Sequence, residues 1–369
     1  MSGAAFPSVR RHVPARFALN DGTSAMPIMN ALSSPSSSRG VSDCFLCPRA
    51  CGVSRSSGRG FCREGEPLRA AWAGLHFGEE PPVTAKGGSG TIFLTGCNLR
   101  CAFCQNHQIS QEGMGAELTR RDFADICMAL QRAGAENINI VTGSHAVPAV
   151  LDGVREAKAE GLGIPVCWNS SAYETMDAID ALAEVVDIWL PDMKTLNAEV
   201  SRAAFAAADY PEVASRAILR MAEHAPLRMA SGKGRTRGKM LSGLILRHLV
   251  LPGRLADTQA VLDWFDAHLR GRAMLSLMTQ YTPVAFGESE AKRQNAAFAV
   301  VDNRYLSDAE YDRLMDMLDA RADENGFFQE LVQDDAWLPD FSKVQPFSSE
   351  LARGLWHWKE GWLVPRRSS

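Results

Sequence analysis

Apolar runs alternate with amphipathic stretches through the middle of the chain. Thr91-Ile92-Phe93-Leu94-Thr95 and Ile138-Asn139-Ile140-Val141-Thr142 read as buried strands, and further apolar runs at 164–168, 185–190, 244–250 and 273–278 read the same way. Between them the period lengthens. Thr119 followed by Asp122 predicts an N-terminal cap for a helix that Gly134 closes, with Phe123, Ile126, Cys127 and Leu130 on its buried face. A second helix is expected from about Pro148 to Glu160, and helices fill most of the remaining gaps. Strands separated by helices imply an α/β fold with a parallel sheet, closed into a barrel or opened into a doubly wound layer. Periodicity does not choose between these two. In either case ligands collect beyond the strand ends, where the polar candidate residues fall.

A further helix is expected over 308–320, with Tyr311, Leu314, Met315 and Leu318 on one apolar face. Trp337, Trp356, Trp358 and Trp362 follow, and read as a tail packing across the sheet rather than a nucleic-acid surface. The chain has 369 residues and is 46% hydrophobic, enough for a substantial core in one large domain or two smaller ones. A net charge of −4 and a pI near 6.1 give no global basic field, so neither nucleic acid nor an anionic membrane is an expected partner. No run approaches the roughly 18 apolar residues of a membrane span, and a cytoplasmic location is expected. Residues 1–42 are rich in Ser, Pro, Arg and Ala and are expected to be disordered; they lack the amphipathic face of a transit peptide. The domain plan is then a Cys-rich metal-binding segment over 43–86, a core over 87–300 and a C-terminal helical extension over 301–369.

Seven of the nine cysteines lie between positions 44 and 104, a distribution of metal ligands rather than of disulfides. Cys97, Cys101 and Cys104 are spaced Cys-x3-Cys-x2-Cys. Soft thiolates favour iron-sulfur or zinc, and three of them leave a coordination position open. Cys44, Cys47, Cys51 and Cys62 instead make a closed four-thiolate set, suited to structural zinc or a second 4Fe-4S cluster. Gly52, Gly58 and Gly60 supply turns around it. Cys127 and Cys167 fall within apolar patterns and read as small buried hydrophobes.

With Phe103 before its last cysteine, the three-cysteine loop resembles the signature of the radical S-adenosylmethionine (SAM) superfamily. That resemblance implies a partial (β/α)6 barrel, a 4Fe-4S cluster on Cys97, Cys101 and Cys104, and SAM on the open iron with Phe103 near its adenine. Over roughly residues 43–300 the chain is similar to pyruvate formate-lyase activating enzymes, in an uncharacterised activase-related branch. The phrases carrying this are Cys44-Phe-Leu-Cys47-Pro-Arg-Ala-Cys51, His76-Phe-Gly-Glu-Glu80-Pro-Pro, Cys104-Gln-Asn, Leu190-Pro-Asp-Met-Lys194 and Arg247-His-Leu-Val-Leu-Pro-Gly253.

Asp192-x-Lys194 matches a SAM-contacting motif of the activating enzymes, and strand alternation puts both side chains on one side. Thr142-Gly143-Ser144 stands where the family has a Gly-Gly-Glu-like turn, but lacks the acid. Asn169-Ser170-Ser171 offers amide and hydroxyl partners to ribose or carboxylate. Arg247 and His248 alternate, so one points into the barrel; an interior Arg suits an anionic ligand or a buried ion pair. His145 is either an acid-base group or a rim residue, and His76, Glu79 and Glu80 either line the substrate approach or cap the loop before Pro81.

The implied activity is reductive cleavage of SAM to a 5'-deoxyadenosyl radical that abstracts hydrogen. Its target is a glycyl-radical partner protein or, alternatively, a small molecule or peptide. A flavodoxin- or ferredoxin-type reductant is implied. A third reading is a non-enzymatic metal-binding interaction module.

Overall fold

The computed structural model describes residues 9–12, 44–231, 238–286, 294–321 and 326–365. Seven parallel strands form its centre, in the spatial order β3 (Ser89–Leu94), β5 (Ile138–Val141), β6 (Val166–Ser170), β7 (Ile188–Pro191), β9 (Met240–Leu249), β10 (Met274–Met278) and β11 (Gly326–Gln329). The six strands expected from the apolar runs are the first six of these. Antiparallel strands flank the row. β2 (Leu68–His76) pairs β3 on one side and then β12 (Ala352–His357) and β13 (Gly361–Trp362). β4 (Ala116–Leu118) also pairs β2, and the two-residue β8 (Arg228–Met229) pairs β9. On the other side β1 (Val9–His12) pairs β11. The two ends of this row do not pair with each other among the described residues, so the barrel is partial, as expected.

Helices cover the outside. α3 (Arg120–Arg132) starts at the capping box of Thr119 and Asp122 that the sequence predicts, and buries Phe123, Ile126, Cys127 and Leu130. α4 (Val147–Ala159), α5 (Met176–Leu182), α6 (Ala198–Phe205), α7 (Tyr210–His224) and α8 (Leu255–His268) follow the later strands. The short α1 (Pro81–Thr84) lies between β2 and β3, and α2 (His107–Ser110) follows the cysteine loop. α9 (Asp308–Asp319) has a second capping box, from Ser307 and Glu310. One apolar cluster under these helices holds most of the core. Inside the barrel a smaller one, built on Val83, Cys167, Ile188, Leu190, Met240 and Ile245, forms a plug.

One expectation is corrected, and one lies almost entirely outside the described residues. The segment beyond residue 301 is not a helical extension: after α9 it contributes β11, β12 and β13 to the sheet. Extended pairing there satisfies the backbone groups at the edges of β2 and β10, which a helix could not. The disorder expected over 1–42 falls outside the described residues except at Val9–His12, which is a strand.

Candidate active site

The C-terminal end of β3 delivers the three-cysteine loop. Gly96 turns the chain with φ near +85°, and a side chain there would come 2.3 Å from Glu64. The loop is then held by Gly96 N–H donating to the Ile109 carbonyl (3.0 Å) and Ala102 N–H to the Ala204 carbonyl (2.9 Å). Cys97 and Cys101 are buried and Cys104 half-buried, and the last two line a cavity of about 250 Å³. Cys97 Sγ accepts from Leu99 N–H at 3.3 Å, and Cys104 Sγ stands 3.3 Å from the Ser110 hydroxyl. Burial pushes the Cys101 thiol up to about 12 against the pull of Lys194, and also raises Cys104. Such thiols surrender their protons to a metal rather than to water. Among the described residues no three His, Cys, Asp or Glu side chains converge on a single-ion site. A cubane makes a looser demand, because each thiolate ligates a different iron. Three thiols on one loop, with hydrogen-bonding groups at two sulfurs, fit that demand.

Opposite the thiols stand Asp192 and Lys194, just past β7, bridged at 2.7 Å and both lining the cavity. Their turn is pinned from several sides. Tyr210 OH donates to the Asp192 carbonyl (2.7 Å) and accepts from Lys194 N–H (3.0 Å), while His248 Nδ1 bonds the Met193 carbonyl (2.7 Å). Burial works against the Lys194 charge, but Asp192 and Cys101 more than offset it and raise its pKa. Asn169 lines the same cavity from the end of β6. Phe103 is buried at its wall, edge-on to Phe205 at 5.8 Å and tilted on Tyr281 at 5.7 Å.

The Arg247 and His248 parity is resolved. Arg247 faces inward; His248 faces α8 and bonds Thr258 Oγ1 at 3.0 Å. Arg247 Nη2 reaches Glu79 Oε2 and Glu80 Oε2, each at 2.5 Å, and its Nε donates to Glu80 Oε1 at 2.9 Å. Glu79 and Glu80 therefore grip a buried guanidinium and line the cavity. Glu80 precedes α1 without a capping hydrogen bond from its side chain. Burial pushes Glu79 upward, yet Arg247, His76 and the amide of Asn139 together hold its carboxyl below the ordinary range.

Thr142 and Gly143 are not among the residues lining this cavity. Thr142 sits at φ +64°, and Gly143 lies against Trp168, where an added methyl carbon would meet the ring at 2.3 Å. His145 is buried beside the Cys-rich segment, its carbonyl accepting from Arg55 at 2.8 Å. Sequence reasoning missed Glu174. It is buried 30 residues from Ser144, and accepts from Ser144 Oγ (2.5 Å) and Trp168 Nε1 (3.3 Å). Burial raises its pKa despite these bonds. A lone acid in an irregular stretch after β6 gives no periodic signal that would have found it.

The second cysteine group packs behind the loop. Arg49 donates to the carbonyls of Asn98 (2.8 Å), Phe205 (2.7 Å) and Ala206 (2.5 Å), and its guanidinium lies 3.8 Å over the Phe61 ring. Cys47 and Cys62 are buried, Cys44 and Cys51 half-buried. Burial pushes Cys47 up to about 11, against hydrogen bonds from the Arg49 backbone and the Asn98 side chain.

A partial parallel barrel with an open three-thiol loop at its strand ends defines a class of proteins that hold a reactive cluster beside a ligand cavity. Residues 91–236 match the family model of the Radical SAM superfamily, and the chain carries a radical SAM domain with distant homology to pyruvate formate-lyase activating enzymes. The uncharacterized protein MJ0674 of Methanocaldococcus jannaschii is 30% identical over 249 residues, 65% of this chain and 66% of that protein. The pyruvate formate-lyase-activating enzyme of Listeria monocytogenes is 30% identical over 118 residues, 29% of this chain and 47% of the enzyme. The chain thus spans just under two thirds of the first relative and about half of the activating enzyme. A radical SAM methyltransferase from Sphaerobacter thermophilus superposes with a TM-score of 0.43 at 16% identity, over 65% of this chain and 66% of the methyltransferase. Family membership implies a 4Fe-4S cluster and SAM. No helix among the described residues is long and apolar enough to cross a membrane.

Proposed function

We propose that this chain is an enzyme that reductively cleaves SAM and abstracts hydrogen from a protein, peptide or small-molecule substrate. The observation that supports it is one cavity lined at once by Cys101, Cys104, Phe103, Asn169, Asp192 and Lys194. When bound, a 4Fe-4S cluster supplies one electron to the sulfonium of SAM, which splits into methionine and a 5'-deoxyadenosyl radical. The protein's own part is placement. Cys97, Cys101 and Cys104 hold the cluster; Asp192 and Lys194 offer a carboxylate and an ammonium to the zwitterionic methionine end. Asn169 offers an amide to ribose or carboxylate, and Phe103 a wall for the base. Thr142 and Gly143, in the turn that follows β5, do not line that cavity, which supports a backbone role for them.

The activating-enzyme relatives favour a partner protein as substrate, a glycyl-radical protein in this reading, and the reaction calls for a one-electron reductant of flavodoxin or ferredoxin type. Cys44, Cys47, Cys51 and Cys62 are read as ligands of a second 4Fe-4S cluster or a zinc ion, although their thiols do not converge on a single-ion site in this structure. The test is anaerobic reconstitution with iron and sulfide, then dithionite and SAM, with 5'-deoxyadenosine measured. Cys101→Ala is expected to abolish product together with the cubane absorption that belongs to this loop, leaving only what the N-terminal cysteines contribute. Unchanged turnover in that variant would overturn the reading.

A further inference from the structure

The cavity carries a second polar group that SAM placement does not use: His76, Glu79, Glu80 and Arg247, with Asn139 below. Glu79 accepts from Asn139 Nδ2 at 2.9 Å, and Asn139 lies two residues before Val141 on β5, deeper than the strand ends. This is the floor of the cavity. Its charges do not balance. Two carboxylates share one guanidinium, and the pair of Asp192 and Lys194 above is neutral in sum. His76 stands beside Glu79, and burial lowers its pKa against the pull of that carboxylate, so it adds little positive charge. A buried excess negative charge is costly unless a cation joins it.

A second observation points to a ligand. His76 is 7% exposed, and its Nδ1 has no hydrogen-bond partner, standing 3.6 Å from Glu79 Oε1. Two carboxylates and an imidazole nitrogen match the three donors of an ammonium. Around them Phe93, Phe347 and Trp337 wall the cavity with rings, His76 and Phe347 meeting edge-on at 5.0 Å. Aromatic faces stabilise a desolvated cation further.

We propose that this floor binds a primary ammonium group of the substrate, through Glu79, Glu80 and His76, with Arg247 setting the positions of the two carboxylates. The inference rests on the enzymatic reading above and names the substrate class of that site. It places the amine deep in the barrel and the carbon chain toward the strand ends, where the hydrogen is removed.

The test uses reconstituted protein saturated with SAM, titrated with n-butylammonium, n-butanol and n-butyrate. Butylammonium is expected to bind at least about 10-fold tighter than the other two, and Glu80→Gln to erase that preference while leaving butanol binding unchanged. Because the wild-type series needs no variant, misfolding of Glu80→Gln cannot rescue the idea. Equal affinities, tighter butyrate, or butylammonium binding that SAM abolishes would overturn it, the last by assigning the floor to the sulfonium cofactor. A blocked lysine, Nα-acetyl-lysine methylamide, compared with butylammonium separates a peptide side chain from a small amine. Measuring 5'-deoxyadenosine in the same samples keeps the two readings apart: product without ammonium preference sinks only this inference, and no product sinks the enzymatic reading.

Discussion

Replacing Arg247 by Met is the sharpest perturbation of this fold. Arg247 is 6% exposed, and the substitution keeps chain length while stranding Glu79 and Glu80 in the barrel. Removing one partner of a buried ion pair costs about 3–5 kcal/mol, because the remaining charge is left without compensation. For a chain of this size that is a fall in Tm of about 4–6 °C. The pH dependence supplies an independent check. In the wild type Glu79 titrates below its ordinary value, since Arg247, His76 and two hydrogen bonds outweigh burial. That contribution is complete above the unfolded pKa and is lost as pH falls through the lower folded one. In Arg247→Met, burial is opposed only by His76 and the Asn139 amide, and the folded pKa is expected to rise above the unfolded one. The penalty then grows with pH, and protonation relieves it in acid. Urea denaturation followed by circular dichroism is expected to show a deficit at pH 8 that shrinks by about 1–2 kcal/mol at pH 5. A deficit below about 1 kcal/mol at pH 8, or one equal at both values, would refute the buried-charge argument.

Gly143→Ala places a methyl carbon 2.3 Å from the Trp168 ring and is expected to lower stability by about 2–3 kcal/mol in the same assay, with Trp168→Leu in the same chain restoring part of it. His145 is buried and neutral in the fold, where burial first and Arg55 second lower its pKa to about 4. The unfolded chain takes up its proton below pH 6.5 while the fold does not, so stability falls between pH 6.5 and 4. His145→Gln is expected to flatten that acid limb by up to about 3 kcal/mol, measured as the difference between two denaturation series. Cys62→Ser is expected to remove about four irons per chain by elemental analysis if the N-terminal group holds a cluster, or one zinc if it is structural, with Cys97, Cys101 and Cys104 still loaded.

Much of the architecture was legible because most of the parallel strands are apolar runs whose ends carry the polar motifs. The three-cysteine loop and Asp192-x-Lys194 announced themselves by spacing, and the structure brings them to one cavity. β2 was not legible. Its sequence Leu-Arg-Ala-Ala-Trp-Ala-Gly-Leu-His is poor in β-formers, and pairing with both β3 and β12 makes it a strand. β11 follows a helix and is four residues long, too short for any period to show. The grip of Glu79 and Glu80 on Arg247 spans 168 and 167 positions, which no local pattern records. Alternation at Arg247 and His248 showed that the two side chains part company, but only packing against α8 settles which way.

The position of the Cys-rich segment ties its chemistry to the loop that it covers. Its residues 44–66 hold few apolar side chains, so burial alone orders them weakly, and a metal at the four cysteines would supply folding energy. What that order holds in place is specific. Arg49 takes the carbonyl of Asn98, the residue after Cys97, and the last two carbonyls at the end of α6; Arg55 takes the carbonyl of His145 after β5. Two strand-end loops and the C-terminal end of α6 are thereby tied to one segment through backbone oxygens, a type of contact that does not depend on the side chains there. If the four cysteines hold a metal, Arg49 is the side chain through which its loss would reach the thiol loop, and Arg55 the one that would carry it to the loop after β5.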